Sequence, residues 1–193
     1  MAEDPDRIWR IDKARTAHGQ AGTPDWYGFP DICADGLPVW HEQHLPTKGR
    51  PAQPLLEDPP PWAGPPVYLE RPHSCMTKMD WCSSDAFGRR GWLFACEWGT
   101  LAPINSPRSE DLDHGFKVIA VDVTDGSAID FVRNARPGPG SALGTAGIER
   151  PVDCAFSPDG RGLYVLDFGV ARVEEAGMFS YAHTGVLWRI TAG

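Results

Sequence analysis

The sequence lacks the patterns that would point to a membrane helix, a disulfide scaffold or a metal cluster. No apolar run approaches the roughly 20 residues that a membrane helix needs. The five cysteines form no Cys-x-x-Cys pair, and their odd number does not fit a disulfide scaffold. No His-x-His or His-x-x-x-His spacing indicates a metal site. We expect Cys96 and Cys154 to be small buried residues in strands, and a bond between neighbouring strands stays open for an oxidising compartment.

Positive charge is in the minority and is not clustered. The chain has 18 lysines and arginines against 26 aspartates and glutamates, which gives a formal net charge of -8. Scattered basic residues argue against a nucleic-acid surface and against anchoring to anionic lipid. The N-terminal segment Met1–Asp6 is acidic and has no apolar core, so it does not resemble a secretory signal. We therefore expect a chain that is cytoplasmic or lacks its natural N-terminal part, with neither nucleic acid nor membrane as partner.

Proline, glycine and tryptophan are abundant. The 19 prolines and 21 glycines disfavour long helices and favour turns. Eight tryptophans and a hydrophobic content of 41% argue against general disorder. The length of 193 residues is enough for one domain with a sizeable core.

Two segments of the chain repeat one pattern at almost the same spacing. Leu93–Gly99 aligns with Leu163–Gly169 at a spacing of 70 residues, and His114–Val121 aligns with His183–Ile190 at 69. Repeats of this length indicate stacked structural units, and the short alternating strands indicate β units such as propeller blades. The sequence therefore predicts an all-β fold in the form of a partial β-propeller.

The repeat divides the chain into three predicted parts. Residues 1–12 hold an orphan blade strand, 13–71 form a long loop that is proline-rich over 51–66, and 72–193 form two blades. The predicted blade strands are 76–83, 92–97, 116–123 and 128–133, followed by 152–156, 162–167 and 185–191. A closed propeller has about four to eight blades. We therefore expect this chain to require further blades or to associate with itself.

The segment Arg150-Pro-Val-Asp-Cys-Ala-Phe-Ser-Pro-Asp-Gly160, followed by Leu163-Tyr-Val165, resembles the last blade of the glucose/sorbosone dehydrogenases. These are six-bladed propellers that bind pyrroloquinoline quinone. Tyr27–Pro30 is similar to the Tyr-Gly-Trp-Pro motif of that family, and Tyr68–Pro72 is similar to its Tyr-x-x-Trp-Pro motif. The resemblance covers roughly residues 27–190.

The resemblance implies that a longer parent protein oxidises a sugar or polyol, with a base taking the hydroxyl proton and the quinone taking the hydride. Arg150 would bind a carboxylate of the tricarboxylic quinone, with or without calcium nearby. Tyr68, Arg71 and His73 would lie on the substrate side. Members of the family usually work in the periplasm or outside the cell.

A second hypothesis is a non-catalytic propeller module that binds a partner or ligand on its loop face. Val152 stands where the family has a second arginine, and Arg71 stands where it has a tryptophan. No residue of the chain is assigned a catalytic role. A purely structural Arg150 would pair with Asp153, and a structural His73 would be an exposed loop histidine.

Two further pairs of residues occupy equivalent positions in the repeat. Glu97 and Asp167 each end a second strand, where a carboxylate is expected to accept hydrogen bonds from loop N–H groups. A role in a site at the mouth of the propeller channel is the alternative for both. His114 and His183 each precede a third strand, which favours a role in a turn.

Overall fold

The computed structural model describes residues 5–11, 26–33, 35–41, 54–104 and 113–191. The chain divides into an N-terminal unit, Met1–Leu69, and a C-terminal unit, Glu70–Gly193. Much of the predicted loop, over residues 13–25 and 42–53, lies outside the described residues, as do both ends of the chain. Every regular element in the described ranges is a β-strand, apart from one 3-10 turn at Asp85–Phe87, so the predicted all-β class is confirmed. No helix in those ranges is long and apolar enough to cross a membrane.

Among the described residues, the N-terminal unit has one short strand pair. β1 (Arg7–Ile8) pairs antiparallel with β2 (Tyr68–Leu69), and the N–H of Val67 donates to the Ile8 carbonyl oxygen at 2.8 Å. The residues predicted as an orphan strand therefore have a partner. That partner lies in the segment assigned to the loop, because two residues between prolines are too few to carry an alternating pattern.

The described ranges of the C-terminal unit contain nine strands. They are β3 (Met76–Trp81), β4 (Trp92–Glu97), β5 (Lys117–Asp122), β6 (Ala128–Arg133), β7 (Pro151–Phe156), β8 (Gly162–Asp167), β9 (Ala171–Glu174), β10 (Gly177–Ser180) and β11 (Val186–Thr191). The first sheet is antiparallel in the order β3-β4-β5-β6, and the second is antiparallel in the order β7-β8-β11. All seven predicted segments are confirmed as strands, with bounds that differ by at most two residues.

The hairpin of β9 and β10 was not expected from the sequence. The two strands pair with each other from Ala171↔Ser180 to Glu174↔Gly177 and join neither larger sheet. The hairpin lies between β8 and β11, outside the segments that repeat in the sequence. Its four-residue strands give too short a pattern for recognition.

The hydrophobic core of the C-terminal unit lies between the two sheets, where β7 packs against β3 and β4. Phe94 on β4 is fully buried, and its ring makes edge contacts with Phe87, Phe131 and Phe156 at centroid distances of 5.7, 4.8 and 5.1 Å. Such edge-to-face pairs add to the free energy gained from burying aromatic surface. The sheets are also joined by polar contact, since the N–H of Phe156 donates to the Asp80 carboxylate at 2.7 Å.

Three of the five cysteines belong to the same core. None of the five forms a disulfide bond, and Cys82, Cys96 on β4 and Cys154 on β7 are buried in the core cluster. The Cys154 thiol lies 3.4 Å from the Phe94 carbonyl oxygen. The expectation of small buried residues is therefore confirmed for Cys96 and Cys154.

Removal of the Phe94 ring is expected to destabilise the C-terminal unit strongly. F94A should lower the free energy of unfolding by about 3–5 kcal/mol, since it leaves a cavity that the two sheets cannot close. F179A removes the same ring from a side chain that is 50% exposed and should cost less than about 1 kcal/mol. Urea unfolding of both variants measures the difference. Equal losses would show that the core does not lie around Phe94.

Candidate functional site

The carboxylate of Asp167, at the end of β8, binds the backbone segment that leads into β7 of the second sheet. It is buried and accepts hydrogen bonds from the N–H groups of Glu149, Arg150 and Gly169 at 2.9, 2.8 and 3.0 Å. The indole N–H of Trp188 donates to the same carboxylate at 3.1 Å. The predicted role of Asp167 as an acceptor for loop N–H groups is confirmed, and the arrangement fixes the backbone on both sides of Arg150.

The turn after each second strand requires glycine. Gly99 and Gly169 have φ values of +97° and +89°. A Cβ added at Gly99 would lie 2.5 Å from the Phe116 ring, and one at Gly169 would lie 2.4 Å from the Thr184 carbonyl carbon. The repeat therefore reproduces a backbone turn as well as a pair of strands.

The side chain of Arg150 extends from the start of β7 to the loop after β4. Its Nη1 donates to the carbonyl oxygens of Trp98 and Thr100, both at 3.3 Å, and its Nη2 donates to that of Ala171 at 3.4 Å. The guanidinium carbon lies 4.0 Å from the Trp98 ring centroid. The predicted structural pairing with Asp153 is wrong, because Asp153 is exposed on β7 while the guanidinium is buried against carbonyl oxygens.

The guanidinium of Arg150 remains a cation that is shielded from water. Only 4% of the residue is exposed, and burial lowers its pKa to about 10, against the opposing effect of nearby Glu149 and other acidic groups. A pKa of that size leaves the group charged at neutral pH. Within the part of the chain that the structure describes, Nε of Arg150 has no hydrogen-bond partner.

A cavity of about 570 Å³ lies beside this cation and is called the Arg150 cavity below. Its walls combine the two arginines Arg150 and Arg172 with the rings of Phe116 and Tyr181. The remaining described residues that line it are Thr100, Ala102, Pro139, Ser141, Ala142, Val170, Ala171 and Val173. Positive charge, aromatic surface and hydroxyl groups together suit a small acidic ligand.

The proline- and glycine-rich loop before β7 forms one wall of the Arg150 cavity and is held by specific hydrogen bonds. The Glu149 carboxylate accepts from the N–H and from Oγ of Ser141, the latter at 2.9 Å. The Asn134 side chain donates to the carbonyl oxygens of Gly138 and Ile148 at 2.8 and 2.7 Å, and accepts from the N–H of Ile148 at 3.0 Å. This wall is therefore built into the fold before any ligand binds.

The structure does not bring the predicted substrate-side residues of the C-terminal unit to the Arg150 cavity. Arg71 is exposed, and its backbone N–H donates to the Glu70 carboxylate at 2.8 Å. His73 is half-buried in a turn with a φ of +71°, and neither residue lines the cavity. Tyr68 belongs to β2 of the N-terminal unit, opposite Ile8. Their substrate-side role stays a prediction.

Sequence reasoning missed Arg172 and Tyr181, which reach the cavity from the unpredicted hairpin and the residue that follows it. No motif marks either residue. The implied calcium also stays a prediction, since no group of three or more histidine, cysteine, aspartate or glutamate side chains in the described ranges is placed to hold a metal ion.

Glu97, the repeat counterpart of Asp167, is in a different environment. It is fully buried, and within the described residues no backbone N–H donates to its carboxyl group, so the predicted acceptor role is wrong here. Lys117 lies opposite it on β5, with Nζ 3.7 Å from Glu97, 3.6 Å from Glu70 and 2.8 Å from Asp130. Burial, followed by the charge of Glu70, raises the pKa of Glu97 to about 9, against the opposing effect of Lys117. A pKa of that size favours the protonated form of Glu97 at neutral pH.

The raised pKa of Glu97 predicts that stability falls as pH rises. Below the ordinary pKa of 4.5 the carboxyl is protonated in both states. Between 4.5 and about 9 only the folded state keeps the proton, so this group lowers stability by up to about 1.4 kcal/mol per pH unit. E97Q removes the titration, and its stability relative to wild type should therefore increase from pH 5 to pH 9 in urea unfolding. E175Q, at an exposed turn, is the matched control. A constant difference between E97Q and wild type would contradict the assignment.

Comparisons with known proteins do not assign this chain to a family. No protein-family model, no curated protein and no solved structure matches the chain. The function is therefore inferred from the side chains of the Arg150 cavity and from the repeat, and the dehydrogenase resemblance remains a hypothesis.

Proposed function

We propose that the chain is a segment of a β-propeller that binds a small organic acid in the Arg150 cavity. The observation that carries this proposal is the buried guanidinium of Arg150, whose Nε lies without a hydrogen-bond partner among the described residues beside a cavity of about 570 Å³. A buried cation that is not fully hydrogen-bonded favours a ligand that brings acceptor oxygens and negative charge.

The propeller assignment is supported by the equivalence of the two sheets. In each sheet the first three strands form an antiparallel meander, and the turn after the second strand contains a glycine with positive φ. β7 packs against the first sheet, as one blade does against the next. In the first sheet β5 pairs with β6, whereas the equivalent β11 has no outer neighbour among the described strands. We expect a further blade, or a second copy, to join at that edge.

The acidic character of the ligand follows from the charges of the cavity. Arg150 supplies a buried cation and Arg172 a second cation that is exposed to solvent. The rings of Phe116 and Tyr181 offer contact to a flat ligand, and Thr100 and Ser141 offer polar groups at the wall. An aromatic carboxylic acid combines the groups that complement these walls.

Pyrroloquinoline quinone fits the charges of the Arg150 cavity, but the described lining of the cavity does not fit the oxidation that uses this quinone. Its carboxylates suit the two arginines, and when bound such a quinone accepts a hydride from its substrate. Among the described lining residues there is no histidine, lysine or carboxylate that could act as the base for that oxidation. The lining fits binding of an acid but does not fit the catalytic arrangement that the resemblance implies, so the binding function is favoured.

The second candidate function is sugar or polyol oxidation by a longer parent protein. It is favoured by the position of Arg150 directly before β7, as in the resembling blade. In that case the base and the sugar-binding groups would come from elsewhere in the parent.

Titration of the full chain with pyrroloquinoline quinone, followed by calorimetry, tests the binding function. The acid should bind, and its neutral trimethyl ester should bind at least about tenfold more weakly, because the arginines lose their ionic partners. R172Q should weaken binding of the acid about two- to fivefold, as expected for loss of an exposed charge pair. R161Q, which removes an exposed arginine that does not line the cavity, should bind like wild type.

Equal binding of the acid and the ester, or no saturable binding of either, would contradict the proposed site. R150M is less informative by itself, because Arg150 also supports the fold. A parallel assay with quinone, calcium and aldoses should give no dye reduction. Sugar-dependent reduction would favour the dehydrogenase instead.

A further inference from the structure

The N-terminal unit contains a second cavity, of about 580 Å³, whose described lining lies within residues 26–59. We propose that this cavity binds a compact organic cation of the quaternary ammonium class. Its lining joins two tryptophans and two carboxylates to aliphatic and proline side chains. This site does not depend on the acid site in the C-terminal unit. Its described lining contains two carboxylates, whereas that of the Arg150 cavity contains two arginines.

The aromatic part of the lining is formed by Trp26 and Trp40. The indole N–H of Trp26 donates to the Phe29 carbonyl oxygen at 2.7 Å, so this donor is already satisfied without a ligand. The indole can still offer its π surface to a ligand. Among aromatic side chains, tryptophan attracts a cation most strongly.

The negative part of the lining is formed by Asp31 and Glu57. Asp31 is only 1% exposed, and its two carboxylate oxygens accept the N–H groups of Leu55 and Leu56, each at 2.9 Å. These hydrogen bonds hold the carboxylate in the wall. Glu57 is exposed and adds a second acidic group. The described lining contains no lysine, arginine or histidine.

These features favour an organic cation over the other common ligand classes. An anion would be repelled by both carboxylates. A polyol would leave the negative charge of the two carboxylates uncompensated. A pure hydrocarbon would remove water from the carboxylates without compensating their charge. A cation with an apolar surface satisfies both the indoles and the carboxylates, and the volume suits a small molecule.

The test compares choline with its neutral carbon isostere, 3,3-dimethylbutan-1-ol, on the full chain. Proton NMR should show an upfield shift of the choline N-methyl signal, caused by the ring currents of the indoles. The isostere has the same shape but no charge, and we expect its affinity to be at least about tenfold lower. Equal affinities for choline and the isostere would show that the cavity recognises only apolar surface and would overturn the proposal. The absence of saturable choline binding would overturn it as well.

Two variants with matched controls locate the site. W40L should reduce the upfield shift of the bound choline and weaken choline binding at least about tenfold, whereas W81L, at an exposed tryptophan of the C-terminal unit, should leave both unchanged. E57Q changes an exposed side chain without altering its size and should weaken choline about two- to fivefold, whereas E175Q should not. E57Q therefore keeps the test valid if W40L fails to fold. Choline binding that is unaffected by E57Q and by a folded W40L would place the ligand elsewhere and contradict the proposal.

Discussion

The C-terminal unit depends on one connected polar interaction, in which Asp167 holds the backbone of Arg150 and Arg150 reaches across to the first sheet. The carboxylate accepts hydrogen bonds from the N–H groups of Glu149 and Arg150, while the guanidinium donates to the carbonyl oxygens of Trp98 and Thr100. A buried charge is tolerated only when such partners are present. The same residue that joins the sheets also supplies the buried cation of the cavity, so stability and binding are coupled at one side chain.

The two repeats share a backbone and differ in their chemistry. Gly99 and Gly169 make the same left-handed turn, and both follow a buried acid. Asp167 accepts hydrogen bonds from backbone N–H groups and from the indole of Trp188. Burial and the charge of Glu70 raise the pKa of Glu97, which favours its protonated form. One position in the repeat thus holds a hydrogen-bond acceptor in the second sheet and a carboxyl group of raised pKa in the first.

The strands could be predicted from the sequence because the alternation of apolar and polar residues and the 70-residue repeat both depend on the backbone conformation. The sequence also predicts the acceptor role of Asp167, which lies inside a repeated segment, whereas Arg150 is singled out by the family resemblance and its cofactor role stays a prediction. The partners of Arg150 could not be predicted, because backbone carbonyl oxygens about 50 residues away carry no side-chain signature. The hairpin that brings Arg172 to the cavity lies outside the segments that repeat in the sequence. The environment of Glu97 depends on Glu70, which lies outside the repeat.

A double-mutant cycle between Asp167 and Arg150 tests the central claim that these residues act as one unit. The free energy of unfolding would be measured by urea titration for wild type, D167N, R150M and the double variant. We predict that the losses of the two single variants sum to at least about 1 kcal/mol more than the loss of the double variant, because each substitution already disrupts what the other residue supports. Losses that add within about 0.5 kcal/mol would contradict the account.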